Sequence, residues 1–130
     1  MGQDSRTPRV LIVEDEALMR WSVLQTLEDM GCSVAEAADG ADAIRTLSPG
    51  SSDFDVFLLD YQLPDSRDLT LLNTVRHLAP RSQVILMTAF GTPDVSKAAV
   101  ELGVYRLLTK PFELDDLVQA VRQAYADRLQ

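Results

Sequence analysis

Residues 9–16 read RVLIVEDE, and the rest of the chain is best read outward from them. Val10, Leu11, Ile12 and Val13 run without a break into the acids Glu14, Asp15 and Glu16. A short, β-branched apolar run that is bounded so abruptly is a buried strand. The next stretch, ALMRWSVLQTLEDMG, changes to helical spacing. Ala17, Trp21, Leu24 and Leu27 recur every three or four residues, Val23 and Met30 widen the stripe, and Gly31 supplies a stop. This places Trp21 on the packed side of the first helix, as core or edge.

The alternation then repeats. Strands are expected over residues 33–37, 55–59, 83–87 and 104–108, with helices over 41–47 and 68–77 and a loop, SPGSSD, over 48–53. Thr92 caps and Pro93 opens a further helix that runs to Leu102 and stops at Gly103. The last helix starts near Glu113, with Leu114, Leu117, Val121 and Ala124 on one face and Asp115 and Asp116 suiting its dipole. Strands apolar on both faces are buried on both faces, and alternating strand–helix units form a parallel sheet with helices on either side. Periodicity does not fix the strand order. For five such units the common doubly wound order is 2-1-3-4-5, with the site outside the carboxyl ends of the strands.

The chain has 130 residues, which suits about one domain burying about two-thirds of its unfolded surface. Residues 1–8, MGQDSRTP, read as a frayed leader to a single domain over 9–130. The closing RQAYADRLQ is helical in pattern and has no stop signal, which fits a chain cut from a longer protein slightly better than a natural end, though a domain of this length can also stand alone. Apolar residues make up 46% and charged residues 25%, which excludes a disordered or collagen-like chain. A net charge of −8 argues against direct binding to nucleic acid or to an anionic membrane. No apolar run approaches the roughly 20 residues of a membrane span. The single cysteine, Cys32, forms no intrachain disulfide and reads as a small buried hydrophobe. With no signal peptide, a cytoplasmic location is expected. One Cys and one His cannot make a Cys-based zinc site.

In such a sheet the residues after each strand share one rim. Here that rim gathers Glu14 and Asp15 after strand one, Asp60 after strand three, Thr88 after strand four and Lys110 after strand five. Crowded carboxylates repel and need a cation. Hard oxygen ligands with open positions suit Mg²⁺, which also accepts phosphate oxygens. Lys110 adds fixed positive charge and Thr88 a hydroxyl donor. Such a set stabilises phosphoryl oxygens, with a carboxylate as nucleophile.

VLIVEDE, FLLDYQLP, VILMTAF and LLTKPF resemble, in order and spacing, the receiver domain of bacterial two-component response regulators. The resemblance covers residues 8–127, and the segment from Met87 to Leu117 is similar to receivers of the nitrogen-regulator type, which act in transcription control. It implies a flavodoxin-like (βα)5 fold and a phosphorelay switch. Asp60 would accept a phosphoryl group from a sensor histidine kinase or phosphotransfer protein. Glu14, Asp15, Asp60 and the backbone carbonyl of Gln62 would bind Mg²⁺, with Glu14 acting partly through water. Lys110 and Thr88 would contact the phosphoryl oxygens, and Lys110–Pro111 would be cis. Gln62 and Phe90 would flank the path of attacking water, with Phe90 shielding the phosphate. The face formed by helix four, strand five and helix five would carry a homodimer or an effector.

Three positions depart from the pattern. Leu107 occupies the usual aromatic switch position, with Tyr105 two residues earlier and expected on the same sheet face. Asp68 replaces a common glycine, and Asp tolerates left-handed geometry. Ser66 replaces a common methionine, and the stretch PDSRD is polar enough that this loop is expected to be more mobile or differently partnered. Signal should therefore leave through residues 88–91 and helix four. His77 reads as a solvated residue near a helix end, and Arg67, Arg76 and Arg81 are too scattered for a nucleic-acid patch.

Two other functions fit parts of the pattern. A Mg²⁺-dependent phosphohydrolase with an aspartyl nucleophile needs a second acid and a substrate cap, and no insertion is long enough for a cap. A flavin-binding module needs a phosphate-cradling loop after strand one, where EDEA is acidic.

Overall fold

The computed structural model describes residues 7–47, 54–89 and 91–129. In chain order the elements are β1 (Arg9–Val13), α1 (Ala17–Asp29), β2 (Ser33–Ala37), α2 (Gly40–Thr46), β3 (Val56–Asp60), α3 (Thr70–Leu78), β4 (Gln83–Thr88), α4 (Pro93–Glu101), β5 (Arg106–Thr109) and α5 (Leu114–Arg128). The strands pair in parallel in the order β2-β1-β3-β4-β5. This is the expected flavodoxin-like arrangement. The expected loop over residues 48–53 and the first six residues of the expected leader lie outside the described residues, while the carbonyl oxygen of Pro8 accepts from the Ser33 amide at 2.8 Å.

Strand alternation divides the core in two. Val10, Ile12, Val56, Leu58, Ile85 and Met87 face α1 and α5, where Val23, Leu27, Leu117, Ala120, Val121 and Ala124 meet them. Leu11, Val13, Phe57, Leu59, Val84 and Leu86 face α2, α3 and α4, where Ala43, Leu71, Leu72, Val75 and Ala99 close the other side. Every residue of β3 is buried, because it is the middle strand and is covered on both faces. Gly31 and Gly103 follow the ends of α1 and α4 with φ of 96° and 91°, as stops in the left-handed region should. Thr92 Oγ1 accepts from the Val95 amide at 3.3 Å and Pro93 opens α4. Cys32 is buried, and burial pushes its thiol pKa up.

Several expectations need correction. Trp21 is 57% exposed, not packed. Its helix buries only Val23 and Leu27 completely, so the apolar stripe is narrower than the count of apolar residues implied and Trp21 falls beyond its edge. β3 and β4 each run one residue further than their apolar stretch, because Asp60 pairs with Met87 and Thr88 with Thr109 in the ladder. β5 starts at Arg106 rather than Val104. Tyr105 therefore precedes the strand and escapes its alternation. It packs on the α5 side, with its Oη donating to Asp127 Oδ2 at 2.5 Å, whereas Leu107 packs on the α4 side. No described non-glycine residue has a positive φ, so Asp68 is not left-handed. Instead its Oδ1 accepts from the Thr70 amide at 2.9 Å, which delays the start of α3 to Thr70.

Candidate functional site

The carboxyl ends of β1, β3 and β4 and the turn after β5 meet at one rim. The Glu14 amide donates to Ala37 O at 3.1 Å, extending the β1–β2 ladder by a step. Its own carbonyl accepts from Arg20 Nη1 at 2.8 Å, and Arg20 Nε pairs with Glu36 at 3.0 Å. One arginine thus fastens the β1–α1 connection to α1 and β2. Glu14 is left 1% exposed, and a buried carboxylate needs a partner. Lys110 supplies it, with Nζ 2.8 Å from Glu14 Oε1 and 3.3 Å from Asp60 Oδ2. Lys110 is itself fixed from behind, its amide donating to Thr88 O at 2.8 Å, and the Lys110–Pro111 peptide is cis. Asp60 closes the set, with Oδ1 accepting from the Gln62 amide at 3.2 Å.

These contacts polarise the two buried acids in opposite directions. Burial and then the Glu14 charge raise the Asp60 pKa from the ordinary 3.8 to about 6, outweighing the pull of Lys110. Burial also acts upward on Glu14, but hydrogen bonds from Lys110, from the Glu16 amide and from Asp60 together bring it below its usual value. Burial acts to lower Lys110, yet its bonds and proximity to Glu14 and Asp60 hold it above its usual value. Glu14 and Lys110 therefore form the settled ion pair, and Asp60 is the carboxylate left under strain. A cation arriving here would relieve it.

Glu14, Asp15 and Asp60 each offer an oxygen, and these oxygens all lie within 4.8 Å of one another. They line a cavity of about 260 Å³ together with Glu16, Gln62, Ala89 and Lys110. Three hard oxygen donors at the mouth of a small polar cavity, with Asp15 exposed to solvent, fit a divalent cation that retains water ligands. Of the residues singled out in the sequence, Glu14, Asp15, Asp60, Gln62 and Lys110 meet in this cavity. Thr88 is buried one residue behind its wall, and Ala89 takes the lining position. Phe90 lies outside the described residues. His77 is exposed in the last turn of α3, with Nδ1 2.8 Å from Asn73 O. Sequence reading missed Glu16, which acts through its amide, and Arg20, whose only signal was a basic residue one turn into a helix that follows an acidic triplet.

Residues 10–122 match the family model of the response regulator receiver domain. The chain belongs to the response regulator receiver family. It is 31% identical over 115 residues to the DNA-binding transcriptional regulator NtrC of Escherichia coli, covering 88% of this chain and 24% of that protein. It is 32% identical over 125 residues to the C4-dicarboxylate transport transcriptional regulatory protein DctD of Rhizobium meliloti, covering 95% of this chain and 26% of that protein. The chain thus spans about a quarter of the length of these relatives. Among solved structures, a CheY-like receiver domain protein from Methanospirillum hungatei JF-1 superposes with a TM-score of 0.89 at 25% identity, covering 95% of this chain and 98% of that one. This receiver therefore has the two-component fold and family expected from its motifs, and the phosphohydrolase alternative is not favoured. Among the described residues no helix is long and apolar enough to cross a membrane.

Proposed function

We propose that this receiver is a phosphorylation-controlled switch whose phospho-acceptor is Asp60, charged by a sensor histidine kinase or phosphotransfer protein. The observation that carries the reading is the Asp60 carboxylate itself. It is 6% exposed, ends the central strand, lies 3.3 Å from Lys110 and shares a cavity with Glu14 and Asp15. One Asp60 oxygen attacks the phosphorus of a phosphohistidine. The P–N bond breaks, its electron pair passes to the imidazole nitrogen, and an acyl phosphate remains on Asp60. Glu14, Asp15, Asp60 and the Gln62 carbonyl would hold Mg²⁺, which neutralises charge on the phosphoryl oxygens. Lys110 exchanges its bond to Asp60 for one to a phosphoryl oxygen, and the Thr88 hydroxyl donates to another.

The same reading extends to partners. Transcription control through an output domain accords with the NtrC and DctD relatives. The face of α4, β5 and α5 is the proposed surface for a homodimer or effector. Gln62 lines the cavity that an attacking water would enter, and slow loss of the phosphate is the expected behaviour. Turnover beyond self-phosphorylation and self-dephosphorylation is not part of this function, and the net charge of −8 keeps nucleic acid off the domain itself. A cytoplasmic location follows from the same reading.

The test uses Mg²⁺ and acetyl phosphate with intact-mass detection. One phosphoryl group should attach, be released by hydroxylamine, and be absent from Asp60→Asn. Label persisting on His77 or a threonine in that variant would contradict the assignment.

A further inference from the structure

The β3–α3 connection begins at the cavity and ends on a different helix. Leu63 is buried, and its backbone pairs with that of Ser66 in both directions, Leu63 N to Ser66 O at 2.8 Å and Ser66 N to Leu63 O at 3.2 Å. This closes Leu63, Pro64, Asp65 and Ser66 into a tight turn with Asp65 near its tip. Asp65 then reaches back to the start of α2. Its Oδ1 accepts from the Gly40 amide at 2.8 Å and its Oδ2 from the Ala41 amide at 3.0 Å. These are first-turn donors with no partner inside the helix. Asp39 takes the next one, from Asp42 N at 2.8 Å. The Asp65 carboxyl is held below its usual value by the Gly40 and then the Ala41 amide. The approach is close enough that a Cβ on Gly40 would lie 3.1 Å from Asp65 Oδ1. The polar PDSRD stretch is thus partnered rather than loose. Two residues before this stretch, Gln62 lines the acidic cavity and donates to Asp60 through its amide.

We infer that Asp65 is a positioning residue for metal binding: by clamping the turn to α2 it holds Gln62 in place at the cavity, and it couples occupancy of the cavity to the first turn of α2. This rests on the receiver reading of the Asp60 site. A turn that is already ordered loses no further freedom when the cation arrives, so the clamp raises affinity without touching the ion. Linkage makes the effect reciprocal, so a cation in the cavity must tighten the clamp by the same factor that the clamp tightens the cation.

The test is isothermal titration of Mg²⁺ into the parent chain, Asp65→Ala and Asp65→Asn, together with amide exchange at Gly40 and Ala41. Asp65→Ala should bind Mg²⁺ about tenfold more weakly, the scale of lost support for a metal ligand. Asp65→Asn should be intermediate, because one amide oxygen replaces two carboxylate oxygens. In the parent, saturating Mg²⁺ should slow exchange at Gly40 and Ala41, and Asp65→Ala should lose that protection. This parent-only measurement stands even if a variant folds poorly. If the parent binds no Mg²⁺, the reading of the site falls and the clamp with it. If the parent binds and Asp65→Ala matches it within twofold, or if exchange at Gly40 and Ala41 ignores Mg²⁺, the clamp alone is overturned.

Discussion

Helices α4 and α5 cover opposite faces of the same edge of the sheet and are fastened to it very differently. α5 buries Leu117, Ala120, Val121 and Ala124, and its last turn is pinned twice. Arg128 Nη1 lies 3.1 Å from the buried Asp55, and Asp127 accepts from Tyr105 Oη. α4 completely buries only Ala99 and leaves Val100 64% exposed. Apolar burial sets the cost of moving an element, so α4 is the cheap one and α5 the anchored one. α4 is also the helix that follows β4, whose last residue is Thr88. We predict that a pull on Thr88 at the site reaches α4 first, without an aromatic at position 107 to carry it.

The largest effect that can break this comparison is a pair of truncations. Leu117→Ala should lower unfolding free energy by about 3 kcal/mol, since it opens a cavity in a closed core. Val100→Ala on α4 should stay within about 0.5 kcal/mol. Urea midpoints at constant slope would read both, and equal losses would show that the two helices are held alike.

A pH series reads the strain at the site that α4 is positioned to feel. The folded Asp60 pKa of about 6 lies above the ordinary 3.8, so the folded state holds this proton more tightly than the unfolded state. Stability from Asp60 is therefore complete at low pH and falls as pH rises from 3.8 to about 6. Glu14 has the opposite sign, because its folded pKa is lowered. Its contribution is present above 4.5 and is lost as pH falls below that value. Without divalent cations the melting temperature should decline between pH 4.5 and 6 in the parent and decline less in Asp60→Asn. An identical slope in the two proteins would remove Asp60 as the strained group.

The smallest effect sharpens the anchoring of α5. Tyr105→Phe should cost about 1 kcal/mol or less, the scale of one partly exposed hydrogen bond. Amide exchange should quicken in the last turn of α5 and stay unchanged in α4. Faster exchange in α4 would mean that Tyr105 ties the two helices together.

Much of this asymmetry was visible in the sequence, and what was not has identifiable causes. The strand–helix alternation, the rim acids and Lys110 were legible because buried parallel strands leave uninterrupted apolar runs, and the polar residues that end them must share one rim. Ala98 and Ala99 make α4 legible in the sequence as a helix of small residues, whose contact with the sheet must be thin. Trp21 was misplaced because periodicity shows where apolar residues recur, not how wide a stripe the sheet covers. Tyr105 was misplaced because alternation holds only inside a strand, and β5 begins one residue later. The Asp65 clamp could not be read at all. It joins residues 25 positions apart through side-chain oxygens and amides, and neither end carries a periodic signal.

The most direct measurement is amide hydrogen exchange with and without beryllofluoride and Mg²⁺, in the parent and in Leu107→Tyr. The parent should show altered exchange across the amides of α4 and little change in α5, with Leu107 untouched. No response in α4 of the parent, with a response appearing only in Leu107→Tyr, would contradict transmission through residues 88–91 and α4.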